Sequence, residues 1–328
     1  MAPKKGKMIV ADLKRRSEKG LSVAKQTLQA EKIQYPKLRK ALEHYITHWD
    51  EFTHPGLFSI ACEAVGGDPD VVAPAQAAIA LITAAFDVQD DIIDKTEVKH
   101  EKTTVYGKFG PEMTLLLGNA FLIEGFKLFV DSSVTLPKEK EKSALETLKK
   151  LLFEVGNAHA LEVGLKKRED FTLNDYIRIT DMKAASIEAD MYLGALFGGG
   201  VDAEVEVLAR VGRILGILAT LRDDLIDVFD IEELRQRILV QDLPLPLLFA
   251  MREQEDKGKI MNMISKSHLT NSDVATLVDF TLEAKSVVQL KGRMRLLIDE
   301  GTHLLNSLSH HELQDSIQSL LSFMLEDL

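Results

Sequence analysis

The sequence predicts an all-α fold, a bundle of about ten helices, on three observations. Apolar residues recur at helical spacing through nearly every segment of the 328-residue chain. Strand signals are absent. Prolines, capping residues and glycines fall where helices should start and stop. Taken in order, the chain opens with a basic stretch, residues 1–20, expected to form a flexible leader. The apolar run Val71 to Phe86 reads as a buried helix closing on Asp90-Asp91-Ile92-Ile93-Asp94. Pro111 sits in the first-turn position that tolerates proline and opens a helix over Glu112 to Val130, and Pro137 opens another toward Leu165. Thr172-Leu-Asn-Asp175 is a capping-box variant ahead of a helix from Tyr176 to Phe197, stopped by Gly198-Gly199-Gly200. Asp202 starts a helix that ends in Asp223-Asp224-Leu225-Ile226-Asp227, and Asn271 and Ser309 start two more.

Composition narrows the function classes. A chain of this length with 45% hydrophobic residues, only 9 prolines and no Pro/Gly/Ser-rich linker reads as one domain over 1–328. Its longest uncharged apolar run, 71 to 86, is short of a membrane span and is interrupted by Pro74, so membrane contact is at most peripheral. The N-terminus lacks an apolar export signal, and a single cysteine, Cys62, forms no internal disulfide; a reducing cytoplasm fits both. Residues 1–40 carry 12 Lys/Arg against 3 Asp/Glu, a net of +9 that leaves −20 on the remainder. That acidic remainder argues against a nucleic-acid partner.

The two Asp-Asp-x-x-Asp motifs carry the chemistry. On a helix, residues three and four apart share a face, so the first and last carboxylates of each motif point the same way. Both are attached to apolar segments, Val71 to Phe86 and Ile214 to Leu221, and further apolar residues lie inside the motifs. Like charge on core-forming helices calls for a counter-charge. Oxygen-only donors without nearby cysteine suit Mg²⁺, which takes one or two carboxylates and completes its shell with water and phosphate. His44 and His48 have the spacing of zinc ligands, but Tyr45 stands where a metalloprotease needs glutamate. The glycine triplet has no preceding strand or following lysine and is not a phosphate loop.

These motifs, about 130 residues apart, make residues 35 to 250 resemble the trans-prenyl diphosphate synthases, the polyprenyl synthetase family of the isoprenoid synthase fold. Smaller features agree in order. Glu63 to Asp68 resembles the link into the first motif helix, Leu117-Gly118-Asn119-Ala120 the family's Leu-Gly-Asp-Ala, and Ala158 to Glu162 its Gly-Gln-x-x-Asp. Lys183-Ala184-Ala185 resembles Lys-Thr-Ala, whose lysine holds the allylic diphosphate. The resemblance implies a bundle around a central cavity and several Mg²⁺ ions held by Asp90, Asp94 and Asp223, with Asp91, Asp224 and Asp227 completing the shell. It also implies Lys183 as diphosphate anchor, with His159, Lys99 and Arg222 as further substrate contacts. Phe86, one turn deeper than Asp90, would be the cavity floor, giving products of fifteen to twenty carbons. A homodimer is expected through the helix beginning at Pro111. The implied reaction condenses an allylic diphosphate with isopentenyl diphosphate.

Departures from the family pattern cluster on the isopentenyl diphosphate side. Asp50 to Pro55 stands in place of Gly-Lys-x-x-Arg-Pro and keeps only the proline, so Glu51 and His54 replace two cations. Thr83 replaces a histidine, Lys99-His100 an Arg-Arg pair and Ala219-Thr220 a Phe-Gln pair, and the following Gly-Lys loop shrinks to Glu233 to Arg237. Arg222, Arg235, Arg237, Lys99 and Lys102 are the cations available to compensate. Two alternatives stay open: a terpene cyclase or lyase acting on an allylic diphosphate alone, and a non-catalytic subunit of a prenyl synthase.

Overall fold

The computed structural model describes residues 3–99, 102–165, 172–229, 234, 237, 244–253, 257–266, 269–308 and 313–326. The order is α1 (Pro3–Ala30), α2 (Pro36–His48), α3 (Thr53–Ala64), α4 (Ala73–Ile93), β1 (Val98–Lys99), β2 (Lys102–Thr103), α5 (Val105–Phe109), α6 (Pro111–Ser133), α7 (Lys138–Leu165) and α8 (Leu173–Lys183). It continues with α9 (Ala185–Phe197), α10 (Asp202–Phe229), α11 (Leu245–Glu253), α12 (Lys257–Ile264), α13 (Asn271–Glu283), α14 (Lys285–Leu305) and α15 (Gln314–Phe323).

The all-α expectation holds. From Ala75 to Ala85 α4 is almost wholly apolar around its circumference and buried throughout, as such a stretch must be. Its alanines let α6 pack close: a Cβ at Gly125 would stand 2.8 Å from Ile82 Cγ1 and 3.0 Å from the Ala78 carbonyl. The main core joins Phe58, Ile79, Phe129, Leu148, Met191 and Leu218 from α3, α4, α6, α7, α9 and α10. A second cluster sits between α1, α2, α4 and α6, and a third joins Val228 to the α11–α13 region.

Helix ends mostly fall where the punctuation placed them. Pro111 opens α6, and α7 begins just after Pro137. The Thr172–Asp175 capping box forms, with the Asp175 carboxylate accepting the Thr172 amide at 2.8 Å. α9 stops at Phe197, and Gly199 takes a φ of 88°. α13 starts at Asn271 behind a second capping box on Thr270. The helix start expected at Ser309 lies outside the described residues.

Three expectations need correction. The flexible leader is instead the first part of α1: Leu13, Ser17, Gly20, Ala24 and Leu28 form a buried stripe at spacings of three and four, and the basic residues lie around it. The helix expected from Tyr176 to Phe197 is interrupted at Ala184. A short antiparallel pair, Val98 with Thr103 and Lys99 with Lys102, appears where no strand was read. Two residues per strand is too short to leave an alternating pattern. Among the described residues α6, rather than the 71–86 run, is long and apolar enough to cross a membrane; here it packs against α4.

Candidate active site

The two motif helices deliver the carboxylates differently. Asp90 and Asp91 stand in the last turn of α4, and Asp94 caps it, its amide donating to the Asp90 carbonyl at 2.9 Å. α10 runs past its motif to Phe229, so Asp223, Asp224 and Asp227 occupy its final two turns. Between the motifs, α8 ends in Lys183. Close contact fixes that end: a Cβ on Gly216 of α10 would lie 2.7 Å from the Ala184 Cα. The Ser186 hydroxyl donates to the Lys183 carbonyl at 3.1 Å and holds the interruption.

A cavity of about 430 Å³ opens beside the first motif. Asp90, Asp91, Lys183, Phe86, Lys99 and His159 line it, together with Glu51, His54 and Thr83 from the side where cations were expected. Lys102 and Thr220 line it too, whereas Asp94, Asp223, Asp224, Asp227, Arg222 and Arg237 stand outside this lining. Lys183 connects the two halves electrostatically: burial works against its charge, but Glu162, Asp224 and Asp90 raise its pKa above the usual lysine value. In this state its ammonium is paired with Glu162.

Each motif carboxylate has its own surroundings. Asp90 Oδ1 lies 3.1 Å from His159 Nδ1; burial opposes its charge, yet His159, Lys183 and Lys99 hold its carboxyl below the usual range. Asp91 is buried, and burial pushes its carboxyl up to about 6 although Lys99 stands 2.8 Å away. Lys99 also holds Asp87 at 2.9 Å. Asp224 accepts a short hydrogen bond from the buried Tyr176 hydroxyl, and burial raises its carboxyl. Asp227 pairs with Arg237 at 2.5 Å. Asp223 has no ion partner or hydrogen bond among the described residues, and desolvation, with Asp224 beside it, raises its carboxyl to about 6.

Arg222 was expected to contact substrate. Its guanidinium instead donates to the carbonyls of Phe323 and Glu326 at 3.0 and 2.8 Å and stacks on the Phe323 ring, capping α15. His44 and His48 are committed as well: His44 Nε2 bonds the Thr103 carbonyl and His48 Nδ1 the His44 carbonyl, each at 2.8 Å. His100 and Arg235 lie outside the described residues. Three residues that the sequence reading did not mark for the site complete it, Tyr176, Asp87 and Asp190, and Glu162 joins them from the segment matched to Gly-Gln-x-x-Asp. Asp190 is fully buried, 2.6 Å from His54 Nδ1. A carboxylate set among Ala189, Met191 and Leu193 of α9 was the available signal.

The donor set fits Mg²⁺. Among the described residues no three acidic, histidine or cysteine side chains converge on one point. An ion here would draw one or two carboxylates from the chain and leave positions for phosphate and water, the habit of Mg²⁺. Asp223, crowded by Asp224 and with no ion pair among the described residues, is the motif carboxylate whose charge is least compensated, although Arg222 lowers its pKa somewhat.

The profile of the polyprenyl synthetase family matches residues 35–281. A short chain isoprenyl diphosphate synthase of Methanothermobacter thermautotrophicus is 32% identical over 197 residues, 60% of each chain, so the match spans less than two thirds of that relative. A geranylgeranyl diphosphate synthase of Methanosarcina mazei is 25% identical over 278 residues, 83% of this chain and 84% of that one. The same fold is found in the geranylgeranyl pyrophosphate synthetase of Pyrococcus horikoshii, at a TM-score of 0.84 and 22% identity over 99% of this chain and 100% of the other. It is also found in a Caulobacter crescentus polyprenyl synthase complexed with calcium and isoprenyl diphosphate, at a TM-score of 0.79 and 19% identity over 96% of this chain and 97% of that one.

Proposed function

The chain belongs to the polyprenyl synthetase family, and from that premise we propose that it is a Mg²⁺-dependent prenyltransferase. It would join an allylic diphosphate to isopentenyl diphosphate and release a prenyl diphosphate of about fifteen to twenty carbons. The observation that carries this reading is Lys183, one ammonium that feels both Asp90 and Asp224 and lines the cavity. A diphosphate anchored there would lie between the two acidic motifs.

Asp90, Asp94 and Asp223 would hold the ions, with Asp91, Asp224 and Asp227 steadied behind them by Lys99, Tyr176 and Arg237. Bound Mg²⁺ supplies Lewis acidity to the departing diphosphate. Lys183 would exchange Glu162 for a phosphate oxygen, a charge-assisted contact with one donor. Phe86, Val88, Val155 and Trp49 give the cavity apolar walls that keep water from the allylic cation. Phe86 would stop the growing tail. The exposed face of α6, with Leu115, Leu116, Ile123 and Phe126, supports a homodimer.

One observation favours the second reading, ionisation of the allylic diphosphate without isopentenyl diphosphate. The Glu51 carboxylate accepts the amides of Thr53 and His54 at the start of α3, and Lys99 and Lys102 are each tied to acids. Assay with and without isopentenyl diphosphate separates the two: only a transferase needs both substrates for product.

A further inference from the structure

The cavity side that lost its expected cations contains one pair built unlike the rest. Asp190 is completely buried in α9, its Oδ2 lies 2.6 Å from His54 Nδ1, and its Oδ1 has no hydrogen-bond partner among the described residues. As a structural device this is a poor choice, because an apolar side chain at such a position is usually neutral or stabilising. Its partner faces the other way. His54 lines the cavity, and its Nε2 has no partner among the described residues yet is not sealed from solvent. With Nδ1 turned to Asp190, the ring presents Nε2 on its opposite side.

We propose that Asp190 is a positioning residue: its buried carboxylate clamps His54 through Nδ1 and fixes Nε2 as a charged donor for the diphosphate of the second, non-allylic substrate. The proposal rests on the prenyl-transfer reading. It gives this chain an imidazolium where lysine and arginine are absent, and it accounts for a buried acid that the metal half does not use. The groups acting on His54 are Asp190 of α9, Glu51 of the α2–α3 connection and Asp87 of α4; His48 at the end of α2, Asp50, Asp90, Asp91, His159, Lys99, Lys102 and Lys183 share its cavity, and Lys14 of α1 lies on the neighbouring Phe52 ring. Burial works against the charge, but Asp190, then Glu51 and Asp87, raise the His54 pKa to about 9. The ring is therefore charged through the neutral range.

Steady-state kinetics on the full chain with Mg²⁺, varying each substrate separately, tests this. In the wild type the KM for isopentenyl diphosphate should rise as pH passes about 9, while the KM for the allylic diphosphate follows no such curve. Asp190→Asn should raise the isopentenyl diphosphate KM by about tenfold or more at neutral pH and move that rise toward about 6.5, the ordinary histidine value. His54→Arg in the Asp190→Asn background should restore the KM and remove its pH dependence. A purely structural role would lower kcat and both KM-dependent terms together, without rescue. If Asp190→Asn does not fold, His54→Gln and the wild-type pH profile decide in its place. A wild type that joins the two substrates with a flat isopentenyl diphosphate KM across pH 6–10, or variants that leave it unchanged, overturns this proposal alone. A wild type that never joins them overturns the prenyl-transfer reading and this proposal with it.

Discussion

Replacing Gly216 with alanine should damage catalysis while sparing the fold. The added Cβ would meet the Ala184 Cα and Cβ at 2.7 Å and its carbonyl at 3.0 Å, none of them the end of a flexible side chain. Carbon atoms rest about 3.5–4.0 Å apart, so α10 and the α8–α9 interruption must separate by about 1 Å. Alanine in place of glycine inside a helix gains about 1 kcal/mol, and overpacking costs about 1–3 kcal/mol. The net loss is then no more than about 2 kcal/mol. The displacement, however, falls on the residue after Lys183. A misplacement of about 1 Å costs on the order of 100-fold in rate. Urea denaturation and steady-state turnover, run side by side, should show a folded protein with the larger loss in turnover. A folded Gly216→Ala with wild-type turnover would refute the idea that this contact sets the lysine.

Asp90→Ala or Asp223→Ala should abolish turnover and leave the helical circular dichroism intact, and chelation should do the same to the wild type; activity persisting in excess EDTA would contradict the metal assignment. Phe86→Ala should lengthen the product, at a stability cost below the about 3–5 kcal/mol of a fully buried phenylalanine because this ring is only half-buried. Chromatography of the products checks it, and an unchanged distribution would show that the tail avoids this residue. A charge on the exposed face of α6, Ile123→Glu with Phe126→Glu, should convert a dimer to a monomer in light scattering. A wild-type monomer at micromolar concentration would remove the dimer from the account.

What the sequence made legible depended on the range of the interaction. Helix ends at Pro111, Thr172 and Gly198 are set by residues beside them, and they are readable for that reason. The two acidic motifs were readable because their helices are apolar enough to be core. The stripe from Leu13 to Leu28 has plain helical spacing, but the lysines and arginines around it dominate the composition of the leader. The break at Ala184 depends on Gly216, which approaches from another helix. Asp224 finds Tyr176 across 48 residues and His54 finds Asp190 across 136. Such pairs leave no local pattern, and so the buried carboxylate against His54 was invisible until the fold placed it. Arg222 misled for the same reason: its neighbour in sequence is Asp223, while its partners lie about a hundred residues away at α15.

The most direct measurement is product analysis with purified protein, Mg²⁺ and an allylic diphosphate, with and without isopentenyl diphosphate. The account expects a prenyl diphosphate of about fifteen to twenty carbons when both substrates are present and little pyrophosphate release from the allylic substrate alone. Full-rate pyrophosphate release without isopentenyl diphosphate, leaving a hydrocarbon or an alcohol, would contradict it.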